Sequence, residues 1–164
     1  MNEFYKTYYK SEIGILELTA SDKGITALGF AESIPDENYE ENKHIKKCIK
    51  QLNEYFKGER KEFSIDLDFC GTEFQNNVWT ELLKIPYGET RSYINIAVKL
   101  GDENAVRAVG MANNRNPIAI IVPCHRVIGS DGKLVGYAGG LWRKDWLLKR
   151  EKEFSDVEIQ MELF

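Results

Sequence analysis

The spacing of apolar and polar residues predicts a small sheet and one helix at the start of the chain. Two runs with β-forming residues, 13–20 and 25–30, are separated by the turn sequence SDKG and predict a hairpin. Residues 63–69, FSIDLDF, alternate without a break and predict a half-buried strand. Between them, apolar residues recur at helical spacing over residues 45–56, and Gly58 ends the pattern, which predicts a helix.

After residue 70 the pattern becomes helical. Thr72 and Gln75 have the spacing of a capping box, and the apolar positions that follow predict a helix with one buried face. That face is expected to comprise Phe74, Val78, Trp79 and Leu82.

A pair of short helices follows this first one. Ser92 is placed to cap a helix over residues 93–100, and Gly101 is placed to end it. Asp102 or Asn104 then starts another helix, which runs through ENAVRAVGMANN. Two short helices around a turn that contains glycine predict a helix-turn-helix, although such hairpins also occur in ordinary protein cores.

The last part of the chain combines a helix with a segment of uncertain place. LWRKDWLLKRE has the spacing of an amphipathic helix, whereas the tail FSDVEIQMELF, residues 154–164, alternates like a strand. The whole pattern predicts an α+β protein of two domains. Residues 1–70 would form a small antiparallel sheet with a helix, and residues 71–164 a mostly helical domain that contains the helix-turn-helix.

The composition is that of an ordinary globular protein, with 43% hydrophobic and 29% charged residues. No apolar run reaches the length of a membrane span, and the start MNEFYKTYYKSEIG lacks the apolar core of a secretion signal. We therefore expect a cytoplasmic protein with reduced thiols. Its 3 cysteines and 2 histidines show no clustered ligand spacing, so we expect no metal site.

Charge is distributed unevenly along the chain, although the net charge is only −4. Residues 91–150 contain ten basic and four acidic side chains, a net charge of +6, so the rest of the chain carries −10. A basic segment within an acidic chain usually has an acidic partner. DNA is therefore a candidate partner for this segment.

Arg107 is the single long cation in a predicted helix of small and apolar residues, with Ala105 and Ala108 beside it. A helix that reads base sequence would present several Arg, Gln or Asn side chains. This helix instead has a smooth surface that allows a close approach of its backbone, and one protruding side chain. A buried helix with one arginine at its rim explains the same pattern equally well.

The segment IVPCHRVIG, residues 120–128, places Cys124, His125 and Arg126 side by side. A free cysteine is mostly protonated at neutral pH, so a nucleophilic Cys124 needs a neighbour that lowers its pKa. In an extended chain, successive side chains point to opposite faces, and contact between Cys124 and His125 then requires a turn or a bridging water. The residue types alone leave Cys124 as either a structural cysteine or a nucleophile. A cysteine hydrolase would need a histidine from elsewhere in the chain to pair with Cys124. The only one in the sequence is His44, on a lysine-rich predicted helix, which disfavours a hydrolase.

Several motifs occur in order within residues 71–148: GTEFQNNVWTELLKIPYGETRSYINIA, NAVRAVGMANNRNP, IVPCHRVIG, GYAGG and RKDWLL. Together they resemble the O6-alkylguanine-DNA alkyltransferase family, and the YAGG loop is similar to the bacterial type. The resemblance implies a ribonuclease-H-like first domain and a second domain with the active-site strand and loop. It also implies single-turnover repair of double-stranded DNA that contains O6-alkylguanine, by a monomer that uses no metal and no cofactor.

The resemblance assigns a role to five residues around the reaction. Cys124 is the alkyl acceptor, and His125 is the base that acts on it through a bound water. Asp145 stands where the family has the glutamate that orients the histidine, and it is one methylene shorter. Tyr93 crowds the backbone phosphate and donates a hydrogen bond to the base. Arg107 fills the space that the flipped base leaves in the stack.

The remaining expected positions line the DNA interface and the base pocket. Asn116 matches the hinge between the DNA-binding helix and the active-site strand, and Ala105 and Ala108 permit entry into the minor groove. The pocket walls around the guanine are expected to comprise Val127, Tyr137 and Ala138. Two alternatives are a protein that recognises the lesion without repairing it, in which the cysteine is replaced, and an inactive protein with Asp145 as its defect.

Overall fold

The computed structural model describes residues 4–162, with side chains through residue 155. The chain divides into two compact units. The first comprises the described residues up to Cys70 together with Pro117–Ala119, and the second comprises Gly71–Asn116 and the described residues from Ile120 onward. Three strands and one helix in the first unit, with mostly helical structure in the second, confirm the α+β prediction.

The first unit is built on an antiparallel sheet of β1 (Tyr5–Ser11), β2 (Gly14–Ala20) and β3 (Ile25–Ala31), in that order. Helix α1 (Lys43–Phe56) begins at Asn42, whose side chain accepts a hydrogen bond from the amide of Ile45 at 3.0 Å. The buried apolar residues of the sheet and α1 are Ile13, Leu16, Leu18, Ala20, Ile25, Leu28, Ile45, Cys48, Leu52, Tyr55 and Phe56.

The strand predicted over residues 63–69 is wrong except at one position. Leu67 forms a single parallel bridge with Ile25. The beginning of the segment pairs with helix α1 instead, because the amide of Ser64 donates to the side chain of Gln51 at 2.9 Å and its hydroxyl accepts from the same side chain. Pro117–Ala119 also joins this unit, since Ile118 bridges Leu28 in parallel. No sequence pattern predicted that return.

The second unit contains helices α2 (Glu73–Leu82), α3 (Tyr93–Lys99), α4 (Val106–Asn114) and α5 (Leu141–Glu162). It also contains a two-stranded parallel sheet of β4 (Arg91–Ser92) and β5 (Val127–Ile128), and short 3-10 turns at Glu103–Ala105 and Cys124–Arg126. The indole of Trp79 donates to the carbonyl of Ala112 at 2.9 Å and ties α2 to α4.

Two of the predicted helix starts in the second unit are confirmed by their hydrogen bonds. Thr72 and Gln75 form a capping box on α2, and Ser92 and Asn95 form another on α3. One expected core residue is wrong, because Phe74 is 37% exposed. It lies in the first turn of α2, one turn before the buried stretch that starts at Val78.

The strand-like interpretation of the tail is also wrong. Helix α5 continues to Glu162, and the last two residues of the tail lie outside the described residues. No glycine or proline interrupts residues 141–162, so nothing local stops the helix that LWRKDWLLKRE begins. Within the described residues, no helix is both long and apolar enough to cross a membrane.

Candidate active site

Cys124 is buried at the start of a tight turn. The residues before it do not form a strand, which corrects the expected active-site strand. The amide of Cys124 donates to the carbonyl of Val122 at 2.8 Å, and the amide of Arg126 donates to the carbonyl of Pro123 at 2.9 Å. This turn removes the alternation of an extended chain. All three side chains of Cys124–Arg126 are buried, so neither neighbour of the cysteine is a solvated residue.

The backbone before Cys124 takes an unusual conformation at Ile120. This residue has a φ of 71°, in the left-handed region that β-branched residues rarely adopt, and its side chain is 1% exposed. The free energy gained by burying the apolar side chain offsets the cost of this backbone conformation. The strain lies four residues before the thiol, where the chain re-enters the second unit.

His125 is held by Glu151 and not by Asp145. Nε2 of His125 lies 2.7 Å from Oε2 of Glu151, and both side chains are almost fully buried. The carboxylate of Asp145 pairs with Lys149 at 2.8 Å, one turn along α5, and its side chain is 43% exposed. The expected role of Asp145 is therefore wrong. On α5, positions 144, 147 and 151 share one buried face, and Asp145 lies outside it.

Arg126 completes a buried ionic group. Its guanidinium donates to both carboxylate oxygens of Glu151, at 2.8 and 3.0 Å, and to the carbonyl of Ile85 at 2.7 Å. Burial alone would raise the pKa of Glu151, but His125 and Arg126 outweigh it and hold that pKa well below its usual range. Glu151 is therefore a carboxylate that accepts the Nε2–H of His125.

This arrangement fixes which nitrogen of His125 can accept a proton. Because Nε2 carries the hydrogen bonded to Glu151, Nδ1 is the unprotonated nitrogen of the neutral ring. Among the described residues, Nδ1 has no hydrogen-bond partner. Burial lowers the pKa of His125, although Glu151 acts to raise it, so the ring is neutral at physiological pH.

The thiol of Cys124 is under opposing influences. Burial raises its pKa, whereas a hydrogen bond from the Asn116 side chain and the ammonium of Lys144 act to lower it. The peptide N–H groups of Cys124 and His125 act in the same lowering direction. Asn116 also donates to the carbonyl of Val122 at 2.8 Å, which fixes its amide beside the turn. The resting group is a thiol in a site prepared for a negative charge.

A glycine-containing segment faces this site from another side. The hydroxyl of Tyr93 donates to the carbonyl of Val135 at 2.8 Å. Gly136 has a φ of 60°, and a Cβ at that position would lie 3.0 Å from Oδ1 of Asn114. Of the expected pocket walls, Val127 is buried, Tyr137 is half-buried and Ala138 is exposed. Burial raises the pKa of Tyr137 well above its usual value.

Helix α4 has one exposed face, which excludes the alternative of a buried helix. The exposed residues recur at helical spacing and are Arg107, Ala108, Met111, Asn114 and Arg115. Ala105, in the preceding 3-10 turn, is half-buried. Met111 is 51% exposed, so the face combines one apolar and three polar side chains with one small residue, Ala108. The described residues contain no group of three or more His, Cys, Asp or Glu side chains that could hold a metal ion.

Comparison with known proteins identifies the family. A model described as the 6-O-methylguanine DNA methyltransferase, DNA binding domain, matches residues 73–153, and its ribonuclease-like domain matches residues 4–69. The methylated-DNA–protein-cysteine methyltransferase of Methanosarcina barkeri is 50% identical over 90% of this chain and 97% of its own length. The chain belongs to the 6-O-methylguanine DNA methyltransferase family.

Other relatives of this methyltransferase family agree with that assignment. The methylated-DNA–protein-cysteine methyltransferase of Mycobacterium leprae is 53% identical over 87% of this chain and 88% of its own length. The crystal structure of the Mycobacterium tuberculosis protein OGT in complex with DNA has a TM-score of 0.82 and 49% identity, with coverage of 90% of this chain and 92% of that one. The family resemblance inferred from the motifs is therefore confirmed.

The sequence did not predict a role for two residues of the site. Glu151 and Arg126 were not assigned a function, although the second stands beside His125 in the chain. The available signal was the spacing along α5, where Lys144, Leu147 and Glu151 follow at three and four residues. A charged residue on the same helix face as a buried leucine is itself expected to be buried and to have a partner of opposite charge. This spacing favours Glu151 over Asp145 as the carboxylate that contacts His125.

Proposed function

We propose that this chain repairs alkylated DNA by transferring the alkyl group from O6 of guanine to Sγ of Cys124, once per molecule. One observation carries the proposal: the buried Cys124 is followed by His125, whose Nε2 is held by Glu151 at 2.7 Å and whose Nδ1 is left to accept a proton. The methylated-DNA–protein-cysteine methyltransferases that the chain resembles support it. A protein that only recognises the lesion has no need for a thiol and base arranged in this way.

The proton and the alkyl group move in opposite directions. The proton of Cys124 passes through a bridging water to Nδ1 of His125, and Glu151 stabilises the resulting imidazolium. The thiolate attacks the alkyl carbon in line with the bond to O6, so a C–S bond forms as the C–O bond breaks. The bonding electrons leave with guanine, which takes a proton for which Tyr93 is the donor. His125 then returns its proton to solvent, and Tyr93 takes up a proton from solvent to replace the one that it gave to guanine.

No step restores the thiol, because the product is a thioether. The carbon–sulfur bond of S-methylcysteine is not a substrate for the relay of His125 and Glu151, which moves only protons. Each protein molecule therefore removes one alkyl group. No metal ion or organic cofactor enters the balance, since the alkylated base is itself the activated donor.

The DNA partner is double-stranded DNA with a flipped O6-alkylguanine. Reaching the alkyl group inside a duplex is impossible without extruding the base, at a cost of a few kcal/mol. The exposed Arg107 is suited to occupy the vacated position, and Ala105 and Ala108 allow the helix to approach the minor groove. Tyr93 and Asn116 complete the assigned DNA contacts, and Val127, Tyr137 and Ala138 the pocket walls.

The cellular setting follows from the chemistry of the acceptor. Cys124 is a free thiol, as are Cys48 and Cys70, and the reaction requires it to stay reduced. We therefore infer a cytoplasmic location. The relay of Cys124, His125 and Glu151 comes from a single chain, so a monomer suffices for the reaction.

The decisive experiment is intact-protein mass spectrometry after incubation with a duplex that contains O6-methylguanine. We expect one added methyl group, mapped to Cys124 and absent from the Cys124→Ser variant. Cys48 and Cys70 provide internal controls, since neither should gain mass. Preferential binding to the lesion with no change of mass would instead mean a recognition protein.

A further inference from the structure

Trp142 is an exposed aromatic residue at the start of α5, directly after the segment that carries two of the expected pocket walls. Its side chain is 57% exposed, and that of its neighbour Leu141 is 47% exposed. Val135, before the segment, is 46% exposed. Tryptophan has a large apolar surface and is enriched among the residues that dominate binding interfaces, so one left this exposed is a candidate contact for a partner.

Arg143 and the backbone hold this indole in a defined place. Cζ of Arg143 lies 4.7 Å from the centre of the Trp142 ring, and Nη1 of Arg143 donates to the carbonyl of Gly139 at 2.9 Å. The ring also lies against the chain, because a Cβ on Gly140 would be 3.5 Å from Cδ1 of Trp142. An indole fixed in this way has little side-chain freedom left to lose when a partner binds it.

The surface around Trp142 continues the exposed face of α4. A Cβ on Gly136 would lie 3.0 Å from Oδ1 of Asn114, which is the last residue of α4 and belongs to its exposed face. The chain then passes through Tyr137, whose carbonyl accepts a hydrogen bond from the amide of Gly140 at 2.9 Å. The exposed face of α4, the segment with the expected pocket walls and the start of α5 are therefore consecutive parts of one surface of the second unit.

The charge of this surface is complementary to that of DNA. The exposed face of α4 carries Arg107 and Arg115, and Arg143 adds a third guanidinium. The sequence contains no acidic residue between Asp131 and Asp145, and these two carboxylates are paired with lysines at 3.9 and 2.8 Å. A guanidinium is suited to a phosphate, while an indole offers an apolar ring for a deoxyribose and an N–H donor for a phosphate oxygen.

We propose that Trp142 and Arg143 form a lip of the DNA interface, which binds the sugar and phosphate groups of the strand that carries the flipped nucleotide. This inference rests on the proposed function, and it extends the DNA contact from α4 to the start of α5. Contacts to sugar and phosphate do not depend on base sequence, as repair at any position requires. The lip holds the strand beside the segment that contains Tyr137 and Ala138, and so keeps the extruded base at its pocket.

The first test is whether bound DNA covers the indole ring. Acrylamide quenches the fluorescence of exposed tryptophans, and Trp142 is 57% exposed, whereas Trp79 is 3% exposed and Trp146 is half-buried under Arg150. The emission of Trp142 is the difference between proteins with and without Trp142→Phe, both carrying Cys124→Ser so that no transfer occurs. We expect a duplex that contains O6-methylguanine, and is long enough for only one protein molecule, to protect Trp142 from acrylamide.

The second test measures the affinity for the same labelled duplex by fluorescence anisotropy at several salt concentrations. Trp142→Ala should raise Kd at least about fivefold. Arg143→Gln loses one phosphate contact, so the slope of log Kd against log salt concentration should decrease by about 0.9. Arg143→Lys keeps the charge and should retain the slope.

Two matched controls lie outside the lip in the same unit. Leu83→Ala truncates an apolar side chain that is 42% exposed at the end of α2, and Lys149→Gln removes a charge from a side chain that is 77% exposed on α5. Both should leave Kd and its salt dependence unchanged.

The outcomes separate this inference from the proposed function. A duplex that binds while Trp142 remains fully open to acrylamide would overturn the lip alone. Protection that appears only with duplexes long enough for several protein molecules would mean that a second copy of the chain covers Trp142, and would overturn the lip as well. A lesion-containing duplex that does not bind at all would contradict the proposed function and the lip with it.

Discussion

The carboxylate of Glu151 accepts a hydrogen bond from Nε2 of His125 at 2.7 Å across 26 positions of the sequence. The same carboxylate accepts two bonds from Arg126, the next residue in the chain after the histidine. One buried side chain on α5 therefore determines both the tautomer of the proposed base and the charge balance around it. The role expected of Asp145 belongs to this residue, which has the longer side chain of glutamate.

Replacing Glu151 should harm reaction and stability together. Glu151→Gln removes the negative charge that stabilises the imidazolium, and we expect methyl transfer to slow about 100-fold. It also leaves Arg126 buried without a counter-ion, which should lower the free energy of unfolding by about 3–5 kcal/mol. Single-turnover transfer and urea denaturation measure the two effects.

Asp145→Asn is the matched control for that substitution. It neutralises a carboxylate on the same helix, but one that is exposed and paired only with Lys149. Both the transfer rate and the stability should stay close to those of the unsubstituted protein. A large loss of transfer in Asp145→Asn, with Glu151→Gln unaffected, would restore the original assignment of Asp145.

The acid side of the rate profile should report the protonation of His125. Only the neutral ring can accept the proton of Cys124, and burial holds the pKa of His125 below 6.5. The transfer rate should therefore be constant through neutral pH and fall only as the pH decreases through that lowered value. In Glu151→Gln the acid limb should move to still lower pH, because the carboxylate that raises the pKa of His125 is gone. Rates between pH 4.5 and 7.5 test this order.

Stability against acid should depend on the same carboxylate. The pKa of Glu151 is lower in the folded protein than its unfolded value of about 4.3, so folding favours the ionised form. Its contribution is fully present above that unfolded value and is lost as the pH falls toward the folded one. The difference in unfolding free energy between the unsubstituted protein and Glu151→Gln should then shrink below pH 4. A difference that stays constant down to pH 2.5 would contradict the shift.

Arg107 should matter for duplex DNA far more than for an unpaired base. Arg107→Ala removes the side chain proposed to occupy the place of the flipped base, and we expect transfer from a duplex to slow about 10- to 100-fold. Transfer from a single-stranded oligonucleotide should change little, because no stacked pair has to be opened. Arg115→Ala, at the other end of the exposed face of α4, removes the same charge and serves as the control. Equal losses in both variants on both substrates would indicate general electrostatic attraction only.

A stability prediction concerns the first unit. A Cβ on Gly24 would lie 2.4 Å from the backbone carbonyl oxygen of Asp66, so the backbone of one segment must move in Gly24→Ala. We expect a loss of about 1–3 kcal/mol in unfolding free energy. Gly29→Ala is the control, since a Cβ there meets nothing within 4 Å. Methyl transfer at low temperature should be unchanged in both, because Cys124, His125 and Glu151 belong to the second unit.

Local patterns predicted the parts of the fold that local forces determine. The capping boxes at Thr72 and Ser92 satisfy helix amides within three residues, so their sequence spacing was sufficient. The segment over residues 63–69 failed because its partners lie elsewhere, on Gln51 and Ile25. A period of two indicates one buried face but does not supply a neighbouring strand.

The residues of the site also differ in whether local sequence could predict them. The motif around Cys124 and His125 is contiguous in the sequence, so it could be recognised there. Arg107 could also be recognised, because it is the single long cation in its helix. Glu151 could be found only by following the buried face of α5, since its partners are 25 and 26 positions away. The family glutamate was assigned to Asp145 by its position in the motif, but the side chain of Asp145 is partly exposed and pairs with Lys149 instead of lying on the buried face.

Because Glu151 contacts both His125 and Arg126, substitutions at this position affect both activity and stability, which constrains how the sequence can evolve. In many enzymes the groups needed for reaction reduce stability, so selection for a more stable variant tends to erode activity. Here the carboxylate that orients His125 also neutralises Arg126, and losing it should weaken the fold at the same time. A library screened only for resistance to heat would therefore retain position 151, and with it the reactive arrangement, without any selection for repair.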